Sequence, residues 1–382
     1  MQNHIKMLYL APLPIDLNNL DGVQKKIISQ AEAYTKKDIC VTIITYSNGF
    51  INLIETSTKK ISILSKAKNK IDVINYANNI IDDFDIFYIR YPLSDFYFIR
   101  LLSKIKRKQK RIIVEIPTYP YNKEGNETIK GRIINLFDII FRRKLKKTVD
   151  RIVTFTGENE IFGIKTIKTI NGFDFNNVTP NIKECHTNEC INLIAVSAMY
   201  RVHGYDRLIK GIINYKQKGG KRKIVLHLVG EGDFIEHYKQ LVYNGNISEN
   251  VIFHGKVYGK SLYNLYDKIA LGINSLAIHR QNLIKESTLK TKEYAAMGLP
   301  IMSSSFVDAF SSKGNNAFVH MVPADESDID IDKLISFIDN LYTKYGTSEL
   351  RSIIREESYK ICDITVTINP ILDYIKQNIY EN

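Results

Sequence analysis

Three runs between Lys6 and Ser47 decide the fold: KMLYLAP (residues 6–12), GVQKKIISQAEAYTKK (22–37) and ICVTIITYS (39–47). The outer two are apolar almost throughout, as strands covered on both faces are, while the middle one carries its apolar residues at helical spacing. Strand, helix, strand in that order is the opening βαβ unit of a doubly wound sheet.

The alternation continues outward. DIFYIRYP (85–92), RIIVEIP (111–117) and RIVTFTG (151–157) read as strands, separated by the helical segments DFYFIRLLSKIKRK (95–108) and KGRIINLFDIIFRRKLKKTV (130–149). A first α/β domain is thus expected over residues 1–180. The polar stretch NNVTPNIKECHTNECIN (176–192) contains Pro180 and paired Asn, and reads as a linker. The pattern then restarts with INLIAVSA (191–198), KIVLHLVGEG (223–232), VIFHG (251–255), ALGINS (270–275) and PIMSS (300–304) as strands. Helices such as GYDRLIKGIINYKQK (204–218) lie between them. A second Rossmann-like domain is expected over 181–362, with a C-terminal helix at 363–382 packing back on the first. Two such domains facing each other form a cleft along their strand carboxyl ends, where open α/β sheets bind ligands.

The bulk numbers agree with a folded, two-domain chain. It has 382 residues, 44% hydrophobic and 25% charged, with no low-complexity tract. Cys40, Cys185, Cys190 and Cys362 are too scattered for a disulfide framework, which fits a reducing cytoplasm. Cys185, His186 and Cys190 have zinc-ligand chemistry, but no second pair stands nearby, so they are read as linker and no metal site is expected. No run of about 18 apolar residues exists to span a membrane. The formal net charge of +12 calls for an anionic partner.

Chemistry concentrates in KESTLKTKEYAAMGLPIMSSS (285–305). On a helix, Glu286, Lys290, Glu293 and Met297 fall within a sector of about 60°, flanked by Leu289, Ala296 and Tyr294, with Thr288, Thr291, Lys292 and Ala295 opposite. The charges therefore stand on the most apolar side, where an amphipathic helix keeps its packing stripe. One reading is an exposed helix with a Glu286–Lys290 pair worth about 0.2–0.5 kcal/mol. The other is a helix that offers these groups to a ligand. Lys290 then reaches a phosphate oxygen, the N–H groups near Ser287, Thr288 and Leu289 cradle a diphosphate, and Glu293 accepts hydrogen bonds from ribose hydroxyls.

Two earlier loops have related chemistry. VGEGDF (229–234) places Gly230 and Gly232 around Glu231, giving either a close backbone approach to a ligand or a tight turn. SAMYRVHGYDRLIKG (197–211) presents Arg201, His203 and Arg207 before a helix, a suitable anion site; either arginine serves equally as a surface charge.

In their order along the chain, HGYDRLIKG, VGEGDF, VIFHGKV and LKTKEYAAMGLPI resemble the elements of glycosyltransferase family 4. NNLDGVQKKI (18–27) is similar to that family's Gly-Gly-Val loop, with Gly22 retained and Asp21 in place of the first glycine. TINGFD (169–174) resembles its Asn-Gly-Val/Ile-Asp element. The resemblance implies a GT-B architecture of two facing Rossmann-like domains and retaining, metal-independent transfer without a cofactor. It also implies a nucleoside-diphosphate sugar as donor, UDP-linked by preference. Arg201, Lys290 and Glu286 would take catalytic roles, and Gly22, His203, Arg207, Gly230, Glu231, Lys285, Ser287, Thr288, Leu289 and Glu293 would bind the donor. The sequence departs from the family in further places. The first glutamate of its E-x7-E pattern would fall at Lys285, beside Glu286. His203 stands where the family commonly has Lys. Ala198 stands where it has Arg. In place of the family's histidine near the sugar, EIPTYPYNKE (115–124) offers Glu115, Thr118 and Tyr119 on the acceptor side.

Two basic runs remain. Lys104, Lys106, Arg107, Lys108, Lys110 and Arg111 follow one N-terminal helix, and Arg142, Arg143, Lys144, Lys146 and Lys147 follow the apolar IINLFDIIF of another. Either they adsorb the chain to an anionic leaflet, at about 1 kcal/mol per residue, or they are solvated charges at helix ends. No nucleic-acid-binding module accompanies them. The expected activity is transfer of a sugar to a glycan or lipid-linked glycan acceptor in surface polysaccharide assembly. Its expected place is the cytoplasm, peripheral to the inner face of the plasma membrane. A GT-B nucleotide-sugar epimerase and a non-catalytic membrane- or RNA-binding scaffold are the rival readings.

Overall fold

The computed structural model describes residues 5–17, 20–121, 128–180, 189–282, 286–310 and 317–379. It divides into one unit of Met1–Gly172 with Ile364–Asn382, and a second of Phe173–Asp363.

The first unit runs β1 (Ile5–Pro14), α1 (Gly22–Thr35), β2 (Ile39–Ser47), β3 (Phe50–Glu55), β4 (Lys60–Lys66), α2 (Lys70–Ala77), β5 (Ile86–Arg90), α3 (Phe96–Arg107), β6 (Arg111–Ile116), α4 (Ile129–Phe141), β7 (Arg151–Thr154), β8 (Glu160–Ile161) and β9 (Ile164–Lys168). Its nine-stranded sheet has the order β4-β3-β2-β1-β5-β6-β7-β9-β8. The stretch from β2 through β1, β5, β6 and β7 to β9 is parallel, and β3, β4 and β8 are antiparallel additions. Side chains alternate between the two faces of each strand. Leu8, Leu10, Phe87, Ile89, Ile112 and Val114 therefore share one core with Phe98 and Leu102 of α3. Met7, Tyr9, Tyr88, Ile113 and Val153 share the other with Ile27 and Ala31 of α1. A capping box sets where α1 starts: the Asp21 carboxylate accepts from Gln24 N, and the Gln24 side chain accepts from Asp21 N.

The second unit runs β10 (Cys190–Val196), α5 (Tyr205–Gln217), β11 (Lys223–Val229), α6 (Ile235–Asn244), β12 (Val251–Gly255), α7 (Gly259–Tyr266), β13 (Leu271–Ile273), α8 (Leu289–Ala296), β14 (Ile301–Ser303), β15 (Val319–Met321) and α9 (Ile331–Cys362), which breaks at Gly346. Its six strands are all parallel, in the order β12-β11-β10-β13-β14-β15. Numbered within the unit this is 3-2-1-4-5-6, the doubly wound order, and its direction of winding reverses between β10 and β13. Beyond Asp363 the chain re-enters the first unit as α10 (Ile364–Thr367) and α11 (Asn369–Ile379). There Ile364, Ile368, Ile371, Leu372 and Ile375 are buried in the second of the two cores.

One expectation needs correction. The helix expected over 130–149 stops at Phe141, and Arg142–Lys147 form a 3-10 turn. The basic run after α3 is largely matched by its own surroundings. Lys106 pairs with Asp150 at 2.5 Å, Lys108 with Asp82 at 2.6 Å and Lys110 with Asp85 at 3.6 Å, while Lys104 donates to the Asn78 carbonyl at 2.9 Å. No helix of the described residues is long and apolar enough to cross a membrane.

Candidate functional site

In a doubly wound sheet the loops leaving the carboxyl ends at the winding reversal converge on one place. Here these are the loop after β10, with His203, and the loop after β13, with Asn274 and Ser275. The start of α8 adds Lys290. Its ammonium donates to Ser275 Oγ at 3.1 Å and lies 3.2 Å from His203 Nδ1, itself 3.1 Å from Ser275 Oγ. Glu286 completes the group from the loop before α8. Its Oε1 accepts from Asn274 Nδ2 at 3.0 Å and from Ser305 Oγ at 3.4 Å, and its Oε2 accepts from Ser275 Oγ at 3.4 Å. His203 stacks on Tyr205 with ring centroids 5.7 Å apart, and the Lys290 ammonium lies 5.9 Å from the Tyr205 ring.

The electrostatics follow from burial. Lys290 is buried, which lowers its amine from 10.5 to about 8, with the charge of Glu286 opposing the shift. Burial and then Lys290 push His203 well below its ordinary value, so its ring is neutral, and it is hydrogen-bonded to the Ala198 backbone. A neutral imidazole nitrogen can accept from the ammonium. Thr288, the N-cap of α8, makes no side-chain bond to the helix backbone. Its hydroxyl goes to Asn274 Oδ1 at 3.2 Å and Thr291 Oγ1 at 3.2 Å. The first-turn N–H groups of α8 thus receive no cap from the Thr288 hydroxyl. A helix N-terminus beside an ammonium is suited to a phosphate.

Glu293 is half-buried one turn further along α8. It faces Tyr266 and Tyr263: burial and then the Glu293 charge raise both phenols, Tyr263 to about 12. Leu289 is half-buried at the first position of α8. Ser287 turns away from Glu286 and donates to Asp308 Oδ2 at 2.5 Å, beside the buried Lys292, which pairs with Asp308 and donates to Ser287 Oγ at 3.0 Å. Lys292, expected opposite the active face, is thus buried like Thr291 and Ala295, because a carboxylate from the loop after β14 meets it. Lys285 lies outside the described residues, as do Cys185 and His186.

Other anticipated residues stand elsewhere. Arg207 is fully buried, donating to the carbonyls of Leu276 and Ser327, the latter at 2.7 Å, and pairing with Asp325 at 3.3 Å. Its guanidinium fastens two loops, which corrects its reading as a phosphate ligand. Arg201 is exposed in the short turn after β10. Gly230 adopts φ 134°, and a Cβ there would lie 1.9 Å from the Ser197 carbonyl oxygen. The close approach it permits is therefore to the chain's own β10 loop. Glu231 is exposed and pairs with Lys256 at 3.3 Å.

In the first unit Gly22 is the exposed first residue of α1. Glu115 is fully buried, accepting from Lys26 at 2.6 Å, Arg90 at 2.8 Å and Tyr88 at 2.6 Å. Burial raises its carboxyl, but Lys26 and Arg90 outweigh this and hold it below its ordinary value. Such a saturated carboxylate is structural, which corrects its reading as an acceptor contact. Thr118 and Tyr119 are half-buried after β6, with the Tyr119 ring against Tyr121 and Phe162. Among the described residues no group of three or more His, Cys, Asp or Glu side chains is placed to hold a metal. Asn274 and Ser275 were not singled out from the sequence. Their signal was two small polar residues directly after a buried strand.

Residues 191–340, which contain the whole cluster, match the family model described as glycosyl transferases group 1. No curated protein matches the chain. Among solved structures, a glycosyltransferase from Rickettsia africae ESF-5 is similar with a TM-score of 0.67 at 16% identity, covering 100% of both chains. Sucrose-phosphate synthase (tll1590) from Thermosynechococcus elongatus has a TM-score of 0.66 at 12% identity, covering 99% of this chain and 100% of that one. Anabaena Alr3699/HepE, solved in complex with UDP, has a TM-score of 0.63 at 12% identity, covering 98% of this chain and 100% of that one. The fold is GT-B.

Proposed function

We propose that this chain, whose residues 191–340 match a group 1 glycosyltransferase domain, transfers a sugar from a nucleoside-diphosphate sugar to a glycan or lipid-linked glycan. The observation that carries this reading is the Lys290–Ser275–His203–Glu286 group at the winding reversal of the second sheet, beside the start of α8. The UDP bound in the HepE structure favours a uridine donor.

In this reading Lys290 and the first-turn N–H groups of α8 hold the diphosphate and stabilise the charge it gains as it departs. Exposed Arg201 reaches the same anion, Glu286 faces the donor sugar, and Glu293 takes the ribose hydroxyls. The acceptor hydroxyl attacks the anomeric carbon from the face the diphosphate leaves. The carbon–oxygen bond to phosphate breaks, the new glycosidic bond forms, and the hydroxyl proton passes to the departing phosphate. Configuration is retained, and neither a metal nor a resident cofactor is assigned a part. Surface polysaccharide assembly at the inner face of the plasma membrane is the proposed setting.

A thermal-shift panel of UDP, GDP, ADP, CMP and dTDP tests the reading, since a ligand bound only by the folded state raises its apparent stability. UDP is expected to raise the melting temperature. Glu293→Ala is expected to weaken that binding ~10- to 100-fold, as loss of charged hydrogen bonds does, and Lys290→Ala to lower kcat as well as nucleotide affinity. No shift with any nucleotide, or wild-type behaviour in both folded variants, overturns it. NMR of the product's anomeric proton tests retention.

A further inference from the structure

Helix α4 is built the wrong way round for a surface helix. Its buried residue is Asp138, whose carboxylate accepts from Tyr91 OH at 2.5 Å, Ser94 N at 2.6 Å, Tyr121 OH at 2.8 Å and Arg142 Nη1 at 3.4 Å. At about 100° per residue, Ile129, Ile133, Leu136, Phe137 and Ile140 fall within an arc of about 100° on the side opposite Asp138. That apolar stripe is the exposed one: Ile129 is 78% exposed, Leu136 58% and Ile140 53%. Ile134 and Ile139 are exposed beside it. Phe96 and Tyr97, just beyond Ser94, are exposed as well. Isolated exposed apolar residues are ordinary, but a contiguous face of this extent marks an interaction surface.

The charge around the stripe says what covers it. From Thr128 to Val149 the one acidic residue is the buried Asp138, while Lys130, Arg132, Arg143, Lys144, Lys146 and Lys147 are exposed. In the basic run after α3, Lys106, Lys108 and Lys110 lie against Asp150, Asp82 and Asp85. A second copy of the chain, with a formal net charge of +12, is on balance repelled by this basic face. An apolar helical face ringed by cations fits a bilayer, where it enters the acyl boundary while the cations meet anionic headgroups.

We propose that α4 and the turn after it form a membrane-docking element that seats the first unit on an anionic bilayer, with Ile133, Leu136, Phe137 and Ile140 inserted. The proposal stands apart from the donor chemistry, and its test reads no activity.

The experiment is flotation of the full chain with phosphatidylcholine vesicles made with or without phosphatidylserine, over a salt series. Wild type is expected to float with the anionic vesicles and to be released by salt. Leu136→Glu/Phe137→Glu and, separately, Arg143→Glu/Lys144→Glu are expected to lose at least about tenfold in partition. Lys36→Glu/Lys37→Glu, with the same change in net charge as Arg143→Glu/Lys144→Glu on exposed α1-side residues, is expected to float like wild type. All the substituted side chains are exposed, and unchanged melting establishes folding. Equal recovery with neutral and anionic vesicles overturns the proposal, and so does wild-type flotation of Leu136→Glu/Phe137→Glu. A dimer in light scattering that this variant dissociates also overturns it, since a second copy would then cover the face.

Discussion

An amine and an imidazole 3.2 Å apart are compatible only while one is uncharged, and burial settles which: His203 stays neutral and Lys290 carries the charge until about pH 8. A lysine with a lowered pKa disfavours its charged form in the folded state. Between about 8 and 10.5 the unfolded chain binds the extra proton, so this group's contribution to unliganded stability grows as pH rises through that window. A bound diphosphate reverses the preference by holding the ammonium. Nucleotide affinity is therefore expected to be level from pH 7 to 8 and then to fall, by up to about tenfold per pH unit. Isothermal titration across that range checks it, with Lys290→Met losing the slope. A wild-type affinity that stays level to pH 9.5 means that Lys290 holds no phosphate.

At the scale of elements, α8 is fixed from behind by an ion pair that the helical pattern alone does not reveal. Lys292 is fully buried against Asp308, and Ser287 Oγ bridges to both. Removing one partner of a buried pair strands the other, at a cost of about 3–5 kcal/mol. Lys292→Ala is expected to lower stability by about that amount in denaturant unfolding, and the double variant Lys292→Met/Asp308→Leu to recover much of it. Additive losses in the double variant would show that the pair is not coupled. The sequence betrays that α8 is unusual, since Lys290 and Glu293 break its apolar side. It does not betray Asp308, which arrives from another loop. Arg207 was opaque for the same reason: its partners Asp325 and Ser327 lie more than a hundred residues ahead. The parallel strands were legible because strands covered on both faces are continuously apolar. The β2–β3 hairpin also carries a legible sign. Asn48-Gly49, both at positive φ between Ser47 and Phe50, is the residue pair a two-residue hairpin turn favours.

For the whole molecule, the unit boundary follows packing rather than chain order. Residues 364–379 contribute Ile364, Ile368, Ile371, Leu372 and Ile375 to the core of the first unit. Fully burying each such side chain stabilises by about 1.5–3 kcal/mol, so losing all of them rivals the roughly 5–15 kcal/mol that holds a typical domain folded. A chain ending at Asp363 is expected to lose the first unit's protection in hydrogen exchange while the second unit, Phe173–Asp363, keeps its own. Full protection of β1 and β2 in that shortened chain would show the helices to be dispensable.

The return of the chain at Ile364 also sets a timetable. On the ribosome the second unit can close as soon as Asp363 has emerged, because all its strands are contiguous. The first unit, synthesised before it, waits with one side of its sheet covered by α1 but not yet by α10 and α11. The half begun first is the half finished last.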